Sequence, residues 1–255
     1  ISALVLLVLF FSLLEPAFMS ERNVRAILNV VSFVGIIAIG QTILLVAGEF
    51  DLSVGSVAGF SAVVSAQLMT AVNLPVPIAI LGGVGTGALM GLVNGIMVVK
   101  FGIPAFIQTL GMLFIGQGLI QLVTGGYPVY PLPEEIRELG FQQIVFGLGW
   151  SFVFFILVAI IADLVLRKTV LGRNLYATGG NKEVARLVGI NTDQYKIGAF
   201  ITIGSLAGIA GMFFMADLSS APTSIGSGWE LIVIAGVVVG GVSLFGGSGT
   251  VAGGV

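Results

Sequence analysis

The sequence predicts an all-α, polytopic membrane protein. Three observations carry that expectation. Hydrophobic residues make up 57% of the chain and charged residues 9%, against about 25% charge in a soluble domain. The apolar residues fall in successive runs, several of them near the roughly 20 residues that a spanning helix needs. The cations are unevenly placed: six of the ten Lys and Arg lie between Arg167 and Lys196, the bias of a cytoplasmic loop.

The runs follow one another with short interruptions. Residues 1–14 are apolar and close at Glu15-Pro16. They are too short to span alone and read as part of a truncated first helix rather than a signal-peptide core. A polar link at 20–25 precedes the second run, 27–47. That run stops at Gly48-Glu49-Phe50-Asp51 and restarts at Leu52, continuing to about Ala71. So short a gap predicts a tight turn or a broken helix. Asn73 to Pro77 separates the fourth run, 78–99, which Lys100 ends. Phe101-Gly102-Ile103-Pro104 opens the fifth, to Val123.

Residues 124–149 are the first long polar segment, an expected extracytoplasmic loop with a short helix at 133–139. The sixth run is 150–166, followed by the basic window 167–196. Within that window Asn181 is a fitting N-cap and Gly189 a fitting stop. They bracket a helix over 182–188 with Val184, Leu187 and Val188 on one face. The seventh run is 197–216, a small and polar stretch covers 217–228, and the eighth run is 229–240. A Gly-rich break at 244–250 leads to Val251, and the chain reads as truncated at this end too. Eight to nine spans are expected in all, with broken helices. Val54-Gly55-Ser56-Val57-Ala58-Gly59 resembles Ser248-Gly249-Thr250-Val251-Ala252-Gly253, which suggests an internal duplication of the kind common in transporters.

Placing 167–196 in the cytoplasm orients the rest. Lys100 and the 49–51 gap fall inside, and 73–77 and 124–149 fall outside. Arg22 and Arg25 then lie outside, against the rule, but the basic window outweighs them six to two. Tyr127, Tyr130, Trp150 and Trp229 are expected at the outer interface, which favours amphipathic aromatics.

Composition excludes several functions. The chain has no His and no Cys, so it lacks zinc sites built on them, thiol chemistry and imidazole acid–base catalysis. Its net charge of −2 offers no basic face to nucleic acid. Gly246-Gly247-Ser248-Gly249-Thr250 lacks the lysine of a phosphate-binding loop. No cofactor is expected on this chain, and any energy from ATP must be delivered by another.

Three groups of residues are candidates. Glu49, Asp51 and Ser53 flank the helix break, where acids at membrane depth default to a functional hypothesis. Solvated at the interface, they would instead cap the following helix. The polar residues within runs include Gln41, Ser61, Asn94, Gln108, Thr109 and Gln117, with Asn29, Thr42, Ser65 and Gln121 in the fuller set. Their amides and hydroxyls can replace the water of a neutral solute, and Phe60 and Phe106 can supply apolar faces. Helix–helix hydrogen bonding is the competing account of each. The stripes Gly82, Gly83, Gly85, Gly87, Gly91 and Gly204, Gly208, Gly211 are expected to pack helices closely. Glu15, Asp163 and Glu230 stand near run ends and read as interfacial.

Four segments carry a family likeness: Gly48 to Ser56; Gly91 to Gly95 with Ile103 to Gly111; Gly172 to Asn181 with Ala185-Arg186 and Gly189-Ile190; and Val239 to Gly247. In this order, over nearly the whole chain, they resemble the permease subunits of bacterial ATP-binding-cassette importers for ribose, xylose, arabinose and related solutes. Glu49 stands where family members more often have Gly.

The resemblance implies about ten helices, pairing with a second permease as homo- or heterodimer, a cytoplasmic ATPase that consumes ATP-Mg, and a periplasmic or lipid-anchored sugar-binding protein. It implies a site in the bacterial inner membrane, with lipid around the spans. It assigns Gly172, Arg173, Ala177, Gly179, Asn181, Ala185, Arg186 and Gly189 to the element that meets the ATPase. Family solutes are pentoses, hexoses and relatives, including a furanosyl signalling molecule. Alternating access driven through the 182–188 helix follows as the expected mechanism. Changing Gly179 or Arg186 is then expected to weaken solute-stimulated ATP hydrolysis while sparing membrane insertion. A proton- or sodium-coupled secondary carrier is the alternative, disfavoured by the scarcity of acids within the runs. An embedded enzyme lacks a convergent catalytic set.

Overall fold

Each apolar run becomes a helix. The computed structural model describes residues 2–141, 143–145 and 148–255. In order these form α1 (Ser2–Leu14), a 3₁₀ turn (Pro16–Met19), α2 (Glu21–Val46), α3 (Val54–Thr70), α4 (Val76–Lys100), α5 (Ala105–Thr124) and α6 (Glu134–Phe141). A small antiparallel hairpin, β1 (Gln143–Val145) and β2 (Leu148–Gly149), follows. Then come α7 (Trp150–Lys168), α8 (Val170–Gly180), α9 (Lys182–Leu187), α10 (Thr192–Leu218), α11 (Trp229–Val239) and α12 (Val251–Gly254). Five helices, α2, α4, α5, α7 and α10, are long and apolar enough to cross a bilayer. The protein is an all-α polytopic membrane protein.

α10 is the axis of the bundle, packed against α2, α3 and α4. Its contact with α4 is a glycine seam. A Cβ on Gly87 would stand 2.3 Å from the Gly204 carbonyl oxygen, and one on Gly204 would meet the Gly87 carbonyl at the same distance. Gly91 meets the Phe200 carbonyl in the same way, at 2.2 Å. Lipid tails are as apolar as Leu, so helices in a membrane gain by packing closely rather than by escaping solvent. The seam is narrower than the sequence suggests. Gly82 faces Leu68 of α3, and Gly85 has nothing within 4 Å.

The structure corrects several expectations. The polar link at 20–25 is helical: Ser20 caps α2, its Oγ accepting from Asn23 N at 3.4 Å. The basic window is not a loop with one helix, because 170–180 forms α8. The third and eighth runs give short helices. α11 has 11 residues, about 16 Å of rise, too little to cross. Trp229 is half-buried, its ring 5.1 Å from Phe214, which in turn packs on Phe33 at 5.5 Å. It packs against the core, whereas Tyr127, Tyr130 and Trp150 are exposed. The helix expected at 133–139 forms as α6, and Val129 bridges Ala221 to tie this segment to the 217–228 stretch.

Candidate functional site: a helix break held by side chains

Breaking a helix inside a membrane protein leaves backbone donors without water to satisfy them. Here the 47–53 break is satisfied residue by residue. Gly48, at φ +82°, turns the chain, and its N–H and that of Glu49 cap α2 through the Leu45 and Leu44 carbonyls. The Gln41 amide pairs with both backbone groups of Asp51. With the amide turned as hydrogen bonding requires, its nitrogen donates to the carbonyl at 3.3 Å and its oxygen accepts from the N–H at 3.2 Å. Thr109 Oγ1 accepts from Leu52 N at 3.1 Å. Asp51 Oδ1 accepts from both the N–H and the hydroxyl of Ser53 at 2.6 Å.

Asn94 completes the cluster. Its Nδ2 donates to Asp51 Oδ2 at 3.2 Å and Ser53 Oγ at 3.0 Å, and its Oδ1 accepts from Gln108 Nε2 at 3.2 Å. Gln41, Asp51, Ser53, Asn94 and Thr109 are buried and Gln108 is half-buried. Four path candidates and two break candidates from the sequence therefore form one network. Asp51 is not the solvated interfacial acid of the simpler expectation. It makes an Asx turn, with Ser53 as N-cap of α3 through its backbone alone.

The remaining path candidates lie elsewhere. Phe60 is half-buried between the two core clusters. Ser61 is fully buried beside the glycine seam and its Oγ has no partner, as is true of Thr42 and Ser65. Phe106 is exposed at the start of α5, its ring 6.5 Å from Phe50. Gln117 is exposed about three turns further along the same helix.

The basic window folds back onto the break. A Cβ on Gly179 would stand 1.9 Å from the Val46 carbonyl oxygen, 2.8 Å from Gly247 N and 2.9 Å from Gly48 N. Gly247 N donates to that Val46 carbonyl at 3.1 Å. Three glycine segments thus meet at one junction, closed from the side by the Tyr176 hydroxyl donating to Gly249 O at 2.6 Å. Burial pushes the Tyr176 phenol above its ordinary range and keeps it protonated, hence a donor. Lys196 Nζ meets Glu49 Oε1 at 2.5 Å.

Most of the eight coupling candidates are packing or capping residues. Gly172 sits against the Leu166 carbonyl, and Ala185 is buried. Asn181 Oδ1 caps α9 by accepting from Val184 N at 3.0 Å, and the Ala177 carbonyl accepts from Asn181 N. Gly189, at φ +86°, ends the segment. Arg186 clamps α9 to α10 through Thr192 Oγ1 at 3.0 Å and Asp193 Oδ1 at 2.5 Å. Arg173 is exposed. The surface this scaffold displays is Val184, Leu187 and Val188, which are 53%, 86% and 71% exposed. Sequence reasoning missed the Glu49–Lys196 pair. Its only signal was one acid and one base, each beside an apolar run.

Among the described residues no three His, Cys, Asp or Glu are grouped to hold a metal ion. A family model described as "Branched-chain amino acid transport system / permease component" matches residues 23–255. The autoinducer 2 import system permease protein LsrC of Salmonella typhi is 34% identical over 255 residues, covering 99% of this chain and 72% of the relative. The protein of the same name from Escherichia coli K12 is 36% identical over 260 residues, covering 100% and 75%. No solved structure matches the chain.

Proposed function

We infer the function from one premise: the chain belongs to the family of branched-chain amino acid transport system permease components. It is the multi-pass inner-membrane permease subunit of an ATP-binding-cassette importer. The solute is a monosaccharide or a similar small neutral molecule, in keeping with relatives named as autoinducer 2 import permeases. A second permease, a cytoplasmic ATPase and a solute-binding protein complete the machine.

The 167–196 segment is the cytoplasmic face and 124–149 the outer one. The five long apolar helices and the shorter α1, α3 and α11 are taken as whole or broken members of an eight-to-nine-span set out of ten, with α11 a half-span that stops at the 240–250 break. The breaks at 47–53 and 240–250 correspond as halves of a duplication, and both adjoin the Gly48–Gly179–Gly246 junction.

One observation carries the mechanism. α9 and its C-cap residue Val188 display three exposed apolar side chains, yet the helix is held by an N-cap and by Arg186. Apolar groups so displayed at a charged, water-facing end mark a protein contact. An ATPase seated there would push on α8 and α10, which touch the break through Gly179 and Lys196. Coupling requires different contacts in two states, and the Asp51 network has side chains able to exchange partners as the break bends.

The test is uptake of radiolabelled pentoses and hexoses by proteoliposomes holding the permease with its ATPase and binding protein. ATP-dependent accumulation is expected, together with loss of uptake when the ATPase is omitted. Uptake driven by a proton or sodium gradient without the ATPase would favour the secondary carrier instead.

A further inference from the structure

The outer half of the molecule holds a second polar feature that the break network does not use. A cleft of about 470 Å³ is lined on one side by Phe114, Gln117 and Gln121 of α5 and on the other by Thr223, Ser224 and Ser227. Its depth is set by close backbone contacts. The Gly226 carbonyl oxygen lies 2.1 Å from where a Gly55 Cβ would be, and the Ile225 carbonyl 2.5 Å from that of Gly59. Gly116 of α5 backs onto Ser56 at the same level. From Ser56 to the outer end of α3 at Thr70 is about 20 Å of helix rise. The 219–228 segment therefore does not stay at the surface as its composition suggests. It dips beside α3 as a string of turns, with Ile225 N bonded to Pro222 O and Ser227 N to Ser224 O.

Irregular backbone at membrane depth persists only where it is buried in protein or lines a water-filled cavity. Ser224, Ser227, Gln117 and Gln121 are exposed, so burial is not the explanation within this chain. Facing lipid, two amides and two hydroxyls would go unsatisfied at a cost of several kcal/mol each. We propose that this cleft is a solute site, open to water, for a neutral polyhydroxylated molecule. This rests on the transport reading above.

The chemistry selects that class. No lining residue is charged, so neither an anion nor a cation is favoured. Amides and hydroxyls both donate and accept, as sugar hydroxyls do, and Phe114, 63% exposed, offers an apolar face to a sugar ring. The volume falls within the range of about 300–1,000 Å³ usual for small-molecule sites. Its floor lies one turn of α3 above the Asp51–Ser53 break, which places the site directly before the network.

The absence of cysteine makes the test clean. Gln117→Cys and Ser227→Cys, in the complex in proteoliposomes, are treated with a membrane-impermeant thiol reagent, with and without ATP. Leu122→Cys, on the exposed apolar face of α5, is the control. Thiols react as thiolates, which form in water and not in lipid. Positions 117 and 227 should label at least about ten-fold faster than 122, since each unit of thiol pKa is about ten-fold in thiolate. A transported monosaccharide at ten times its half-saturating concentration should slow labelling about ten-fold.

Labelling no faster than at 122, or unchanged by a sugar that the wild type accumulates, overturns the site. A disulfide between two copies at Gln117→Cys, without labelling, overturns it in favour of a permease–permease contact. Wild-type complex that accumulates no sugar refutes the transport reading, while fast labelling at 117 and 227 would still uphold a water-filled cleft.

Discussion

Neutralising Lys196 tests how the basic segment, 167–196, is joined to the break. Lys196 Nζ and Glu49 Oε1 are 2.5 Å apart, and their side chains are 9% and 18% exposed. Removing one partner strands the other in a poorly solvated place, which costs about 3–5 kcal/mol for fully buried pairs. Residual exposure of Glu49 puts Lys196→Met near the lower figure, about 3 kcal/mol, or roughly a hundred-fold in the folding constant. The double variant Glu49→Gln/Lys196→Met leaves no charge unpaired and should fall within about 1 kcal/mol of wild type, since apolar or neutral replacements of buried pairs are often tolerated. The charge swap Glu49→Lys/Lys196→Glu should recover as well.

The assay is reversible unfolding in mixed detergent–lipid micelles, followed by the ratio of ATP hydrolysed to solute imported. If the pair transmits movement, the neutral double variant regains stability but hydrolyses more ATP per solute, and the swap regains both. Single-variant costs that simply add, within about 0.5 kcal/mol, would refute the pair as a unit. A neutral double variant with the wild-type ratio would refute its part in transmission.

Further predictions follow from the network and the seam. Asp51→Ala takes the acceptor from the Ser53 N–H and hydroxyl and from one of the two bonds that Asn94 Nδ2 donates, and should cost about 2 kcal/mol or more, read in the same unfolding assay, with uptake lost. Asp51→Asn keeps an acceptor for Ser53 but sets one amide nitrogen against another at Asn94, and should cost about half as much. Gly87→Ala forces a methyl into the Gly204 carbonyl and should cost about 1–3 kcal/mol or abolish folding. Gly85→Ala, with nothing within 4 Å, should be neutral or gain up to about 1 kcal/mol, measured as folded yield. Gly179→Ala should lower stability together with coupling, because its Cβ would meet the Val46 carbonyl.

The legible parts of the molecule are those written in local sequence. Long apolar runs fix the five long helices, because hydropathy alone decides what a bilayer accepts. Gly48-Glu49-Phe50-Asp51 was readable as a break, and Asn181 as a cap, since turn and cap chemistry is local. The amides at Gln41, Asn94 and Gln108 and the Thr109 hydroxyl were readable as unusual. Their common purpose was not, for they come from three helices and meet only in the fold.

α8 was missed because Gly172, Thr178, Gly179 and Gly180 are poor helix formers. Packing of Gly172 on the end of α7 overrides that preference. The dip at 219–228 was missed because Ser, Thr, Pro and Gly spell an external loop. Its depth depends on Gly55 and Gly59, more than 160 residues earlier. Glu49 and Lys196 are 147 residues apart, beyond the reach of any pattern.

The most direct test of the central claim, that an external ATPase drives this permease through the exposed face of α9, is Leu187→Asp. Leu187 is 86% exposed, so the change should leave folding and membrane insertion within about 0.5 kcal/mol. Burying a charge in a protein contact is costly. The account predicts that purified ATPase no longer binds the Leu187→Asp permease and that ATP-driven uptake falls to background in proteoliposomes. Wild-type ATPase binding and uptake by this variant would contradict it.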